Sequence, residues 1–121
     1  MFADFYISGR RIAKNVKFCS TMSSKVLGLM FVSSPGNGAF LPGVKDIHMN
    51  FVRFGLRVIW LDEKRKVVKI ADAKPWRLYY GPYNARHVLE LPTTNRSKIK
   101  EGDKISIITN QGNGKGKRIF R

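Results

Sequence analysis

Apolar and polar positions alternate with a period of two along most of this chain, which is the pattern of strands buried on one face. Residues 4–7 predict a first strand, and Ser8-Gly9-Arg10 predicts a turn after it. In the next run Ile12, Val16 and Phe18 share one face and Arg11, Asn15 and Lys17 the other, with Lys14 breaking the inner face. Ile47, Met49 and Phe51 point one way while His48, Asn50 and Val52 point the other. Residues 56–61 are apolar on both faces apart from Arg57, which predicts a central strand covered on both sides. Asp62-Glu63-Lys64-Arg65 reads as a hairpin turn, with residues 66–71 as its return strand. Residues 86–91 form another strand, with Leu89 and Leu91 inward and Pro92 as its stop. Glu101-Gly102-Asp103 then turns the chain into a last strand over 104–109.

A helical period occurs at 21–31, where Met22, Val26, Leu29 and Met30 fall on one face and Ser20 or Thr21 supplies an N-cap. Gly28 costs that helix about 1 kcal/mol against alanine. A run of turn residues, Ser33-Ser34-Pro35-Gly36-Asn37-Gly38, ends it. Residues 74–83 read as a loop punctuated by Pro75, Gly81 and Pro82, and Thr93 or Thr94 caps a second short helix to about residue 99. Six or seven short strands with one or two short helices predict a mainly β fold, a compact antiparallel β-sandwich or barrel. It fills a single domain over 1–109, followed by a basic, glycine-rich tail over 110–121.

Composition narrows the class. The 121 residues are 43% hydrophobic, enough for one core without metal or disulfide support. The lone Cys19 cannot form an internal disulfide, and the start of the chain lacks the long apolar run of a secretory leader. The longest uncharged apolar stretch, 26–32, falls short of the roughly 20 residues a membrane span needs. The expectation is a soluble, cytoplasmic protein. Lys and Arg number 23 against 8 Asp and Glu, a net charge of +15 that side-chain pairing cannot balance. Such an excess attracts polyanions in general, nucleic acid among them, without choosing one.

Several segments together resemble the family called domain of unknown function 192. Gly28-Leu29-Met30 after a hydroxyl-rich helix start is similar to its Gly-Leu-Met signature. Ile47-His48-Met49, Arg53-Phe54 and Val58 to Asp62 resemble its central hairpin, and Lys66-Val67-Val68 the return strand. Lys74-Pro75-Trp76-Arg77, Ala85 to Pro92 and Gly102-Asp103 resemble its later segments. The resemblance runs in order from about residue 10 to 108. It implies a compact β-sandwich or barrel with small helices and no established activity. This chain departs from the family pattern twice. Arg57 stands where similar members carry an acid, and Pro92-Thr93-Thr94 replaces a Pro-Ala-Gly turn.

The residues provide no complete catalytic constellation. Asp46 and His48 can share a strand face, but a metal site wants three or four ligands. Cys19, beside Lys17, has no indicated base and reads as an inert thiol, and the acids form no clear pair. Gly112 to Arg118 has the look of a phosphate loop but lacks its glycine spacing and its Lys-Ser/Thr. No cofactor is implied. The reading is a non-enzymatic binding or accessory domain, with nucleic acid or another polyanion as the alternative ligand. His48, Arg53, Trp76, Arg77, Tyr80 and Arg86 are the candidate ligand-binding residues, and Lys115, Lys117 and Arg118 in the tail the candidate polyanion contacts. The aromatics of 74–83 either seal the core, line a pocket or stack on bases.

Overall fold

The computed structural model describes residues 1–19, 35–49, 52–110 and 116–120. Among them are ten strands: β1 (Phe2–Ile7), β2 (Arg10–Phe18), β3 (Ala39–Pro42), β4 (Ile47–His48), β5 (Leu56–Leu61), β6 (Val67–Ala73), β7 (Leu78–Tyr79), β8 (His87–Pro92), β9 (Ile105–Asn110) and β10 (Gly116–Phe120). Eight form one sheet in the order β10-β9-β1-β2-β3-β8-β5-β6, and β4 and β7 form a separate two-stranded sheet.

Local chemistry accounts for the hairpins. Ser8 and Gly9 both have positive φ (50° and 78°), the geometry of the tight two-residue turn that suits twisted strands. At the β5–β6 turn Asp62 Oδ1 accepts from the amides of Lys64 and Lys66 at 2.9 Å each, and Arg65 adopts φ 62°. The break at Lys14 has a structural cause. Ala3 pairs with Val16 but Phe5 with Ala13, so Asp4 faces two residues, Lys14 and Asn15. Asn15 takes φ 49° and donates its amide to Asp4 Oδ1 at 2.8 Å. This bulge turns Lys14 outward and keeps Ile12, Ala13 and Val16 buried.

The sheet buries apolar residues on both faces. In β5, Ile59 and Leu61 join one cluster with Phe5, Phe40, Leu89 and Ile107, while Val58 and Trp60 join a second with Leu41, Met49 and Val88. Each fully buried large side chain contributes about 2 kcal/mol of hydrophobic stabilisation. Phe40 centres the first cluster, 5.2 Å from Phe5 and 5.4 Å from Phe18 between ring centroids, both tilted. The two-stranded sheet lies over the second cluster, contributing Ile47 and, partly buried, Tyr79.

Three expectations need correction. The main sheet is mixed, because β2 and β3 run parallel, Lys17 pairing with Ala39 and Phe18 with Phe40. A parallel pair needs a long crossover instead of a hairpin, so alternation within each strand could not reveal it. The sheet also does not close into a barrel. A bridge between Lys66 and Lys104, with Val67 donating to Asp103 O at 2.8 Å, ties the start of β6 to the start of β9 and curls the sheet over its first cluster. Finally, residues 93–99 form a turn and irregular chain, not a helix. Side chains there outcompete the helical ladder: Arg57 donates to the carbonyls of Asn95 (3.1 Å) and Ser97 (2.7 Å), and Ser97 donates its amide to Asn95 Oδ1 at 3.0 Å. The helix expected at 21–31 lies outside the described residues.

Candidate functional site

Alternation places Ile47 and Met49 inward, and the following chain folds back so that Ile47 pairs with Tyr79 and His48 with Leu78. Polar contacts fix this small sheet to the body. Trp60 Nε1 donates to Lys45 O at 2.7 Å from below, the amide of Gly81 donates to Asp46 Oδ1 at 3.1 Å, and the amides of Met49 and Trp76 donate to Arg77 O and Met49 O at 2.7 and 2.8 Å. The Asp46 carboxyl is held below its usual range, first by the hydrogen bond from Lys45 Nζ at 2.8 Å. Tyr79 turns inward, and its hydroxyl accepts from the Lys74 amide at 2.7 Å.

The outer side is apolar and exposed. Trp76, Leu78 and Tyr80, at every second position, are 59%, 61% and 66% exposed. Residues that pair across an antiparallel sheet point the same way, so His48 joins this face opposite Leu78. Its Nδ1 is buried and has no hydrogen-bond partner among the described residues. Trp76 holds φ 67°, a left-handed conformation unusual for a bulky residue. Lys69 Nζ lies 3.4 Å from Tyr80 O, its charge 4.9 Å from the Trp60 ring centre, so a cationic group borders the face.

Three of the six candidate ligand-binding residues, His48, Trp76 and Tyr80, therefore fall on this face, while Arg77 is exposed but lies out of its alternation. Arg53 is exposed on the chain that leaves β4. Arg86 lies elsewhere, donating to Tyr83 O and Ala85 O at 3.0 and 2.8 Å, and lines a cleft of about 400 Å³ with Lys45, Glu63 and His87. His87 Nδ1 accepts from the Gly43 amide at 3.0 Å. Lys115 lies outside the described residues, while Lys117 and Arg118 sit on β10 opposite Thr109 and Ile108. The strand pairing of 78–79 was not foreseen. Its apolar, aromatic alternation within a Pro- and Gly-rich stretch was the available signal.

Sequence reading also missed Glu90. It is buried, and loss of hydration pushes its carboxyl up to about 7. Cys19 is buried too, with its thiol raised chiefly by burial. Arg57 spends its guanidinium on two backbone carbonyls just beyond the turn at 93–94. Among the described residues no group of three His, Cys, Asp or Glu could hold a metal, and no helix is long and apolar enough to cross a membrane.

Comparison with known proteins gives a consistent family and no activity. The family model DUF192, described as "Uncharacterized ACR", matches residues 5–107. A UPF0127 protein of Thermococcus gammatolerans is 34% identical over 106 residues, 81% of this chain and 69% of that protein. One of Thermococcus kodakarensis is 35% identical over 99 residues, and the matched stretch spans 75% of this chain and 63% of that relative. One of Pyrococcus horikoshii is 32% identical over 78% of this chain and 88% of its own length. A crystal structure of a protein of unknown function from Novosphingobium aromaticivorans shares the fold, with TM-score 0.70 over 87% of this chain and 83% of that one at 23% identity.

Proposed function

The chain belongs to the DUF192 family, and from that premise we propose that it is a non-enzymatic binding domain whose contact surface is the outer face of the β4–β7 sheet. The observation that carries this reading is the exposed row Trp76, Leu78 and Tyr80 on a segment fastened by backbone and side-chain hydrogen bonds. Exposed aromatics on a fastened support offer apolar contact area with little ordering cost on binding. His48, paired opposite Leu78 and half-buried, adds a polar side chain to the same face.

A second reading, single-stranded nucleic acid as the ligand, is favoured by the cations around that row and by the net charge of +15. Stacking on Trp76 and Tyr80 with Arg77 against phosphate is the chemistry by which single strands are held without sequence preference. The test is titration of the full chain with single-stranded DNA and RNA across a salt series. The variants are Trp76→Ala with Tyr80→Ala, and a tail variant with Lys115, Lys117 and Arg118 changed to Ser. Loss of binding in the aromatic variant supports the face. Full binding there, with loss in the tail variant, overturns the face in favour of the tail. No binding at low salt removes the nucleic-acid reading.

A further inference from the structure

We propose that the cleft between the β2 bulge and the segment 92–97 is a second binding site, one that takes a phosphate group. The cleft has a volume of about 390 Å³ and is lined by the cations Arg11, Lys14 and Arg96 together with Thr94 and Asn37, with no carboxylate lining it among the described residues. That size falls in the range of small-molecule sites, about 300–1,000 Å³. It shares no residue with the β4–β7 face.

The charge in this cleft is placed by the fold. Without the bulge at Lys14 and Asn15, strand alternation would send Lys14 toward the core; the bulge brings it out beside Arg11. The acid beside Arg11, Asp4, is already engaged: its Oδ1 accepts the Asn15 amide at 2.8 Å, and its Oδ2 lies 3.9 Å from Arg11. Lys14 and Arg96 have no acidic partner among the described residues. Three cations with one acid, paired to Arg11, leave a net positive charge, and a concave wall concentrates its potential.

The opposite wall is built as firmly as the strand. Asn95 Nδ2 and Ser97 Oγ both donate to Ile12 O, at 2.9 and 2.8 Å, and Arg57 holds the carbonyls of Asn95 and Ser97 from behind. These bonds clamp the segment that carries Thr94 and Arg96 to the strand that carries Arg11 and Lys14. An ordinary solvated cationic face has no such clamp; here the two backbone segments that carry the cations are held together before any ligand arrives. Arginine forks suit paired phosphate oxygens, lysine supplies a point charge, and the Thr94 hydroxyl can donate one further bond.

The phosphate could belong to a free nucleotide or to a nucleic-acid backbone, and the experiment has an arm for each. Binding of pyrophosphate, of AMP and of a single-stranded oligonucleotide is measured by calorimetry on the full chain. The site variant is Lys14→Ala with Arg96→Ala. The control, Lys64→Ala with Lys100→Ala, removes the same charge from exposed positions outside the cleft. The expected result is a loss of about tenfold or more in the site variant, from the removal of charge-assisted hydrogen bonds, and about twofold or less in the control. Loss confined to pyrophosphate and AMP assigns the free ligand; loss confined to the oligonucleotide assigns the backbone; both support the site. Equal losses in the two variants, or no binding of any of the three, overturn it. Trp76→Ala with Tyr80→Ala is expected to leave pyrophosphate affinity unchanged, so failure of the aromatic face and failure of this cleft read out separately.

Discussion

Replacing Glu90 by Gln is expected to stabilise the protein at alkaline pH and leave it nearly unchanged in acid. Glu90 sits in β8 between Ala39 of β3 and Val58 of β5, buried on a face otherwise lined by Val58, Trp60 and Val88. Desolvation raises its carboxyl from 4.5 to about 7. Below about pH 4.5 both the folded and the unfolded chain carry the proton, and ionisation costs nothing. Between about 4.5 and 7 the unfolded chain releases it while the folded chain keeps it, so stability falls as pH rises. Above about pH 7 the full cost remains. At about 1.4 kcal/mol per pH decade this amounts to about 3 kcal/mol. Gln keeps the shape of the protonated side chain and cannot ionise. Urea unfolding of both proteins from about pH 4 to about pH 8.5 should therefore show their stability difference opening by about 3 kcal/mol in favour of Glu90→Gln. A difference that stays constant across that range would refute the reasoning, because it would place Glu90 in an environment that tolerates its charge.

Arg57→Met keeps the buried stem but leaves the carbonyls of Asn95 and Ser97 without their donor. It is expected to cost about 2 kcal/mol in urea unfolding and to weaken pyrophosphate binding although Arg57 does not line the cleft. Gly81→Ala would bring a Cβ to 2.5 Å from Lys45 O and 2.6 Å from Trp60 Cδ1, groups already joined by the indole hydrogen bond. The expected cost is about 2 kcal/mol, with a changed near-ultraviolet dichroism signal from Trp60; an unaltered spectrum and midpoint would show that the β4–β7 sheet is held more loosely than these contacts imply.

Much of the β character was legible because alternation is a local property. Residues 56–61 read as a strand covered on both faces, and β5 alternates between two clusters as that pattern requires. The Ser8-Gly9 and Asp62–Arg65 turns could be read because positive φ and a capping carboxylate are demands met within four residues. Trp76, Arg77 and Tyr80 drew attention in the sequence because cations and aromatics interleave over 74–83. Strands β3 and β7 were harder, since four and two residues between Gly and Pro are too few to display a period.

What the sequence by itself determined was a mainly β chain, its hairpins and its excess of positive charge. The tertiary structure decided the rest, because it depends on which distant segments lie side by side. It made β2 and β3 a parallel pair, buried Glu90 between strands that begin or end far away in sequence, and turned Trp76 and Tyr80 to solvent while Tyr79 packed inward. It also set Arg96 across a cleft from Arg11 and Lys14, more than eighty residues earlier. Charge is written in the sequence, but the concentration of charge on one wall depends on cross-strand register, and a single bulge at Asn15 was enough to redirect it.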